Sequence, residues 1–445
     1  MIQFFRDKNS LPLLGLTVLG VFLQVQFNLF QNEYYTGLRI ALSDILIPFA
    51  GIAILTSLLR QKSYWPNWQL SHSYLWLTAL FGVLVLATLH TYWLYGAWSN
   101  WALVNKLLGL VVMISYMALG GWISTNVSSE RIFQFIQVVC TFFFAILIVQ
   151  TYCMLLMLAY PPSTWFFIHH DFWYPLEGYM ANRNAYALFA LVCLSLLAVF
   201  HLSGKPLFSE RMTNILLFLL PLGLANIGSR ASFLALIVFF ILLLIFYRKK
   251  AAKLLLPFLL GTLCLTAIYA HHPRKLGFVR DRPFAIFHQT EEIKNLSSAE
   301  ELKGEVRQGD FNRISTLRKG LEIFKGHEIF GAGLGAALYH QKLETGKYIA
   351  LLDSTPLWLL LETGIAGLLI FSVFFLLCLR QLWINRGSDN KIYSALSLSM
   401  FFALLSFGIM CVFHEIAYTR QIWFFLGLAL AFPLTQKSPD RSATS

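Results

Sequence analysis

Apolar residues run along this chain in long, nearly unbroken stretches, not at alternating positions, and polar breaks separate the stretches. A helix needs ~20 apolar residues to cross ~30 Å of hydrocarbon. Twelve stretches are read as spans, at 11–31, 38–59, 74–96, 101–123, 132–160, 184–203, 213–228, 231–247, 254–270, 356–379, 393–413 and 421–436. Only Ser229 and Arg230 part the seventh from the eighth, which predicts a tight re-entering pair. The long segment 271–355 breaks the pattern. In it Phe311, Ile314, Leu317, Leu321 and Phe324 recur at three and four residues, the period of a helix with one apolar face. It continues into Gly-Ala-Gly-Leu-Gly at 331–335. The expected fold is all-α: a polytopic integral membrane protein with about twelve transmembrane helices and a helical loop subdomain. The expected divisions are 1–270 (nine spans), 271–355 (loop subdomain), 356–436 (three spans) and 437–445 (tail).

Composition agrees. Of 445 residues, 57% are hydrophobic and 13% charged, too few charges to clothe a water-soluble surface. A cytosolic enzyme, a disordered chain and a small disulfide scaffold are excluded. The six cysteines lie inside apolar runs with no C-x-x-C pair, as packing residues do. No A-x-A site follows the first apolar run, so no cleavable signal is expected.

The net charge of +12 reports topology and not nucleic-acid binding. With the N-terminus inside, cytoplasmic segments hold sixteen Lys and Arg residues, and the short outer turns with adjoining span ends hold five: Arg39, Lys106, Arg183, Arg230 and Arg420. That asymmetry predicts both termini in the cytoplasm. Segment 271–355 carries thirteen basic and eleven acidic side chains, and long loops translocate regardless of charge. A loop of that length is functional or disordered; its helical period favours a folded subdomain on the outer face.

The five outer cations share one depth, and the mid-depth interior holds little charge besides Asp44. Ion-coupled pumps need titratable groups near the midplane, and no internal repeat is visible, so a transporter or lipid flippase is the disfavoured rival. Cations at that depth suit an anionic lipid head group; the bland alternative is side chains reaching for water. The aromatic run Trp165, Phe166, Phe167, Phe172, Trp173 and Tyr174 is either an interfacial belt or a platform for sugar or prenyl chain. His169–His170–Asp171 and His271–His272 lack a third ligand at helical spacing. There is no D-x-D, no Walker loop and no G-x-S-x-G elbow, so neither metal nor cofactor is expected.

Three segments resemble the superfamily of O-antigen ligases and O-antigen polymerases, bacterial envelope glycosyltransferases. Asn226-Ile-Gly-Ser-Arg230-Ala-Ser-Phe-Leu234 is similar to that family's Arg-x3-Leu motif at an outer turn. Asn312–Arg313 followed by Gly331-Ala-Gly333-Leu-Gly335 is similar to its loop-helix arginine ahead of a G-x-G. Asp353-Ser-Thr-Pro through Glu362-Thr-Gly364 and Gly367 is similar to its His-x10-Gly segment, which an acidic residue and a further Gly accompany. Asp353 stands where the ligases carry their histidine.

The resemblance implies en bloc transfer of a glycan from undecaprenyl diphosphate to a saccharide acceptor, either lipid A core or a lipid-linked repeat, at the periplasmic face of the inner membrane. Membrane lipids are the other partners, and nucleic acid is not one. Without a metal, guanidinium groups must stabilise the leaving diphosphate. Arg230 and Arg313 fit, with Arg318 and Arg183 behind them. The base is Asp353, which keeps the family's position, or alternatively His414 in His414-Glu415-Ile-Ala-Tyr418-Thr-Arg420. Asp353 also reads as a helix cap in Asp-Ser-Thr-Pro, and the two roles are compatible. The missing histidine tilts the reading toward a polymerase over a ligase.

Overall fold

The computed structural model describes residues 10–29, 38–48, 51, 71–159, 178–180, 182–271, 320–336 and 354–431. Helices dominate: α1 (Ser10–Phe22), α2 (Ser71–Tyr95), α3 (Asn100–Asn126), α4 (Ser129–Ala159), α5 (Arg183–Leu202), α6 (Glu210–Ile227), α7 (Arg230–Tyr247), α8 (Lys249–His271), α9 (Thr355–Asn385), α10 (Lys391–Phe413) and α11 (Arg420–Leu430). Eight of them, α2–α5 and α7–α10, are long and apolar enough to cross a membrane. The protein is an all-α polytopic membrane protein. The polar first turn of α6, with Glu210 and Arg211, keeps that helix out of the set.

The first two expected spans need correction. The run at 11–31 is helical only to Phe22 and then forms strand β1 (Gln26–Leu29). The run at 38–59 opens as strand β2 (Leu38–Ala41) and a tight turn over Leu42–Leu46. The strands pair antiparallel, Gln26 opposite Ala41 and Leu29 opposite Leu38. Gln-Phe-Asn-Leu alternates in polarity, as do the first three residues of Leu-Arg-Ile-Ala, and that period of two is a strand's signature. Window-averaged hydropathy cannot see it.

α5 is the centre of the bundle. Every residue from Ala185 to Phe200 is buried, as expected of a helix apolar on all sides. Outer helices keep apolar stripes exposed, such as Ile237, Ile241 and Ile245 on α7. Between such helices apolar burial gives little drive, so association relies on close packing at small residues. α3 and α11 pack in this way. A Cβ on Gly120 would strike the Phe424 carbonyl, and one on Gly427 would strike that of Met117. Gly427→Leu should therefore cost about 1–3 kcal/mol through overpacking. It would be read as a lower thermal midpoint in detergent, whereas Gly82→Leu should leave the midpoint alone, since no atom lies within 4 Å of a Cβ there.

Candidate functional site

The starts of α5 (Asn184) and α9 (Thr355) both meet His414 at the end of α10. Lys106 near the start of α3 meets Tyr418 just before α11, and Ser203 after α5 meets Tyr247 at the end of α7. So α3, α5, α7, α9 and α11 all begin at the end of the bundle where α10 finishes. The expected functional residues that the structure describes all stand at this end.

The glycine segment is the first component. Residues 331–336 are buried, and they do not lie above the helices. The Leu334 N–H donates to the Ala87 carbonyl (3.0 Å), and the Thr91 hydroxyl donates to the Leu334 carbonyl (3.0 Å), so the segment dips about two turns down α2. Gly333 has φ 102° and lies hard against Thr91, where a side chain would meet the α2 backbone. On the other flank the segment meets a break in α9. Gly364, at φ 70° and ψ −171°, interrupts that helix. The interruption frees backbone groups that must find partners away from water. They find them in the loop: Ala332 N–H donates to Leu361 O (2.9 Å) and Gly333 N–H to Glu362 O (3.2 Å), while Ile365 N–H donates to Glu328 O (2.9 Å) and Ala366 N–H to Ile329 O (3.1 Å). Loop and broken helix thus complete one another.

A charge cluster lies beside this junction. The Glu362 carboxylate, 3% exposed, accepts from Trp358 Nε1 (2.7 Å) and from the Gly335 N–H. Lys106, 1% exposed, pairs with Glu415 and lies under the rings of Trp358 (4.3 Å), Trp101 (5.0 Å) and Tyr418 (5.3 Å). Lys106 belongs to a π-helical stretch, Leu103–Leu108, whose wider turn departs from the α-helical register. The Tyr418 hydroxyl donates to the Lys106 carbonyl (3.2 Å). Burial, and then the nearby Glu362 carboxylate, push the Tyr418 phenol well above its ordinary range, so it stays a neutral donor.

His414 is the most firmly placed of the expected residues. It caps α10 and is 6% exposed. Its Nδ1 lies 3.2 Å from Asn184 Nδ2, and its carbonyl accepts from Thr355 Oγ1 (3.1 Å). His414 therefore bridges the start of α5, where half-buried Arg183 precedes Asn184, and the start of α9. Arg230, also half-buried, heads α7, which packs against α5 and α10. Its tip is rigid: Gly228 closes α6 in the left-handed conformation at φ 66°, and the Ser232 hydroxyl donates to the Ser229 carbonyl (2.7 Å). Asp353, Arg313, Arg318 and the histidines at 169, 170 and 272 lie outside the described residues, although Ser354, next to Asp353, caps α9 by accepting from Leu357 N–H (3.5 Å).

Two of the outer cations need a different reading. Lys106 neither reaches for water nor faces lipid. Arg420 grips Asp44, which sits in the turn after β2 and not in the middle of a span. Sequence reasoning missed Trp358, Glu362, Glu415 and Asn184 as partners; the i,i+4 spacing of Trp358 and Glu362 was the one local signal available.

No curated protein matches the chain. Residues 215–372 match the protein-family model described as O-Antigen ligase, and this stretch, from α6 across the glycine segment into α9, is of the superfamily of O-antigen ligases and polymerases.

Proposed function

We propose that the protein is a metal-independent glycosyltransferase of the bacterial inner membrane, with both termini cytoplasmic. It moves a glycan en bloc from undecaprenyl diphosphate to a sugar hydroxyl at the periplasmic face, as a polymerase of O-antigen or a related surface polysaccharide. The observation that carries this reading is the family match at 215–372, which spans Arg230, Arg313, Arg318 and Asp353. The gathering of Arg183, Arg230 and His414 at one end of the bundle supports it.

The reaction is a displacement at the anomeric carbon. The bond from that carbon to the diphosphate oxygen breaks, a bond to the acceptor oxygen forms, and the acceptor proton passes to a base. Charge accumulates on the departing diphosphate, so fixed guanidinium groups stabilise the transition state more than the ground state. Arg230 and Arg313 take that role, with Arg318 and Arg183 behind them. Asp353 takes the proton; His414, whose carbonyl accepts from Thr355 Oγ1 at the start of α9, is the alternative base.

A ligase that hands the glycan to lipid A core is the second reading, favoured by the description of the matching family. Deleting the gene and resolving the surface glycan on a gel separates the two. A polymerase mutant keeps single repeats on core and loses long chains. A ligase mutant loses all glycan from core and accumulates carrier-linked chains. Unchanged glycan in the deletion strain would overturn both.

A further inference from the structure

The Lys106 cluster ties together four pieces of chain that are distant in sequence. The π-helical turn supplies the ammonium, the first turns of α9 supply Trp358 and Glu362, the glycine segment supplies the Gly335 amide, and the 414–419 connection supplies Glu415 and Tyr418. The same connection begins with His414, whose carbonyl is held by Thr355 at the start of α9. The cluster therefore fixes both strands of chain on which a base is placed, the one opening with His414 and the one that follows Asp353.

A merely adhesive contact does not need this composition. An ammonium and two carboxylates at this depth are costly to desolvate, and well-packed apolar residues of similar volume would hold the helices together as firmly. What charged and hydrogen-bonded partners add is a unique geometry, because each leaves a buried polar group unsatisfied in any other arrangement. A cation–π contact with Trp358 at 4.3 Å and one with Tyr418 at 5.3 Å define the ammonium position from two sides.

We propose that Lys106 is a positioning residue for glycan transfer, which through Glu415, Trp358 and Tyr418 sets His414 and the start of α9 in their reactive placement. This rests on the glycosyltransferase reading. Lys106 touches no substrate in this scheme; it acts on the orientation of groups that do, and small misplacements of such groups lower rate steeply.

The test uses the purified full-length protein reconstituted with lipids extracted from the deletion strain, which supply the carrier-linked glycan and the acceptor. Lys106→Met should lower kcat about tenfold with KM within about twofold, the mark of an interaction that matters only as the reaction proceeds. Lys106→Arg, which keeps the charge, should recover most of the rate. Glu415→Gln should reproduce the loss, and the double variant should be no slower than either single one, because the two act as a unit. If Lys106→Met fails to accumulate, Glu415→Gln and Tyr418→Phe carry the same prediction. Wild-type kcat in these variants, or a loss confined to KM, would overturn the proposal. Arg230→Ala run in parallel separates the two levels. A dead Arg230→Ala beside a fully active Lys106→Met and Glu415→Gln removes only the positioning role, and a fully active Arg230→Ala removes the transferase site on which it rests.

Discussion

Arg230→Ala should lower glycan transfer by about 10²-fold, equivalent to ~3 kcal/mol of lost transition-state stabilisation, with protein level and thermal midpoint unchanged. The size of the effect follows from where charge develops. A diphosphate leaving group without a metal must be met by fixed positive groups, and a guanidinium is always ionised and grips phosphate oxygens in pairs. Arg230 is also the first residue of α7, so the positive end of that helix's dipole adds its potential to the guanidinium's own. Its half-buried position leaves the side chain reachable and explains why its removal should spare the fold. Arg230→Lys, which keeps the charge and loses the fork, should fall between the two. The measurement is the length distribution of surface glycan in a deletion strain carrying each variant at equal abundance. A wild-type ladder from the Arg230→Ala strain would end this site assignment.

The spans that the sequence made legible are those where composition alone decides. Long apolar runs bounded by polar turns became α2–α5 and α7–α10 with ends shifted by only a few residues. The segments 24–29 and 38–46 were misread because apolarity summed over a window hides a strand's alternation, and because β1 and β2 stabilise one another through pairing that neither shows alone. The tight turn at Ser229–Arg230 was visible as two polar residues between two runs, and the structure closes it with Gly228 in the left-handed conformation. The glycines at 331–335 were visible as a motif, but their depth was not. They are buried because the α9 backbone breaks at Gly364 and offers its stranded amides and carbonyls to them, a reciprocity between distant segments that no local period encodes. The same reason hid the partner of Lys106. A lysine near a span end reads as a side chain seeking water; the acidic residue that holds it comes from the far end of the chain.

Asp44→Ala should destabilise the protein by about 3–5 kcal/mol, the largest stability effect expected of a single substitution here. Arg420 donates to Asp44 from Nε at 2.7 Å and from a terminal nitrogen at 2.6 Å, a two-point grip. The side chains are 10% and 18% exposed, so water screens the pair little. Further donors converge on the same carboxylate: the Tyr116 hydroxyl at 2.7 Å and the Ala41 N–H at 2.8 Å. Ser43 completes the network through the Tyr116 hydroxyl at 2.5 Å. Removing the carboxylate strands a buried guanidinium and loosens three segments together: the β2 turn, α3 and the start of α11. The cost measures an unpaired charge more than the worth of the pair, and this gives the decisive comparison. Asp44→Ala combined with Arg420→Met, which removes both charges, should be more stable than Asp44→Ala alone, with a coupling of ~1–3 kcal/mol in the double-mutant cycle. Thermal midpoints in detergent read all four corners. Strict additivity of the two substitutions would mean that the pair does not bind these segments together, and that Asp44 is held for some other reason.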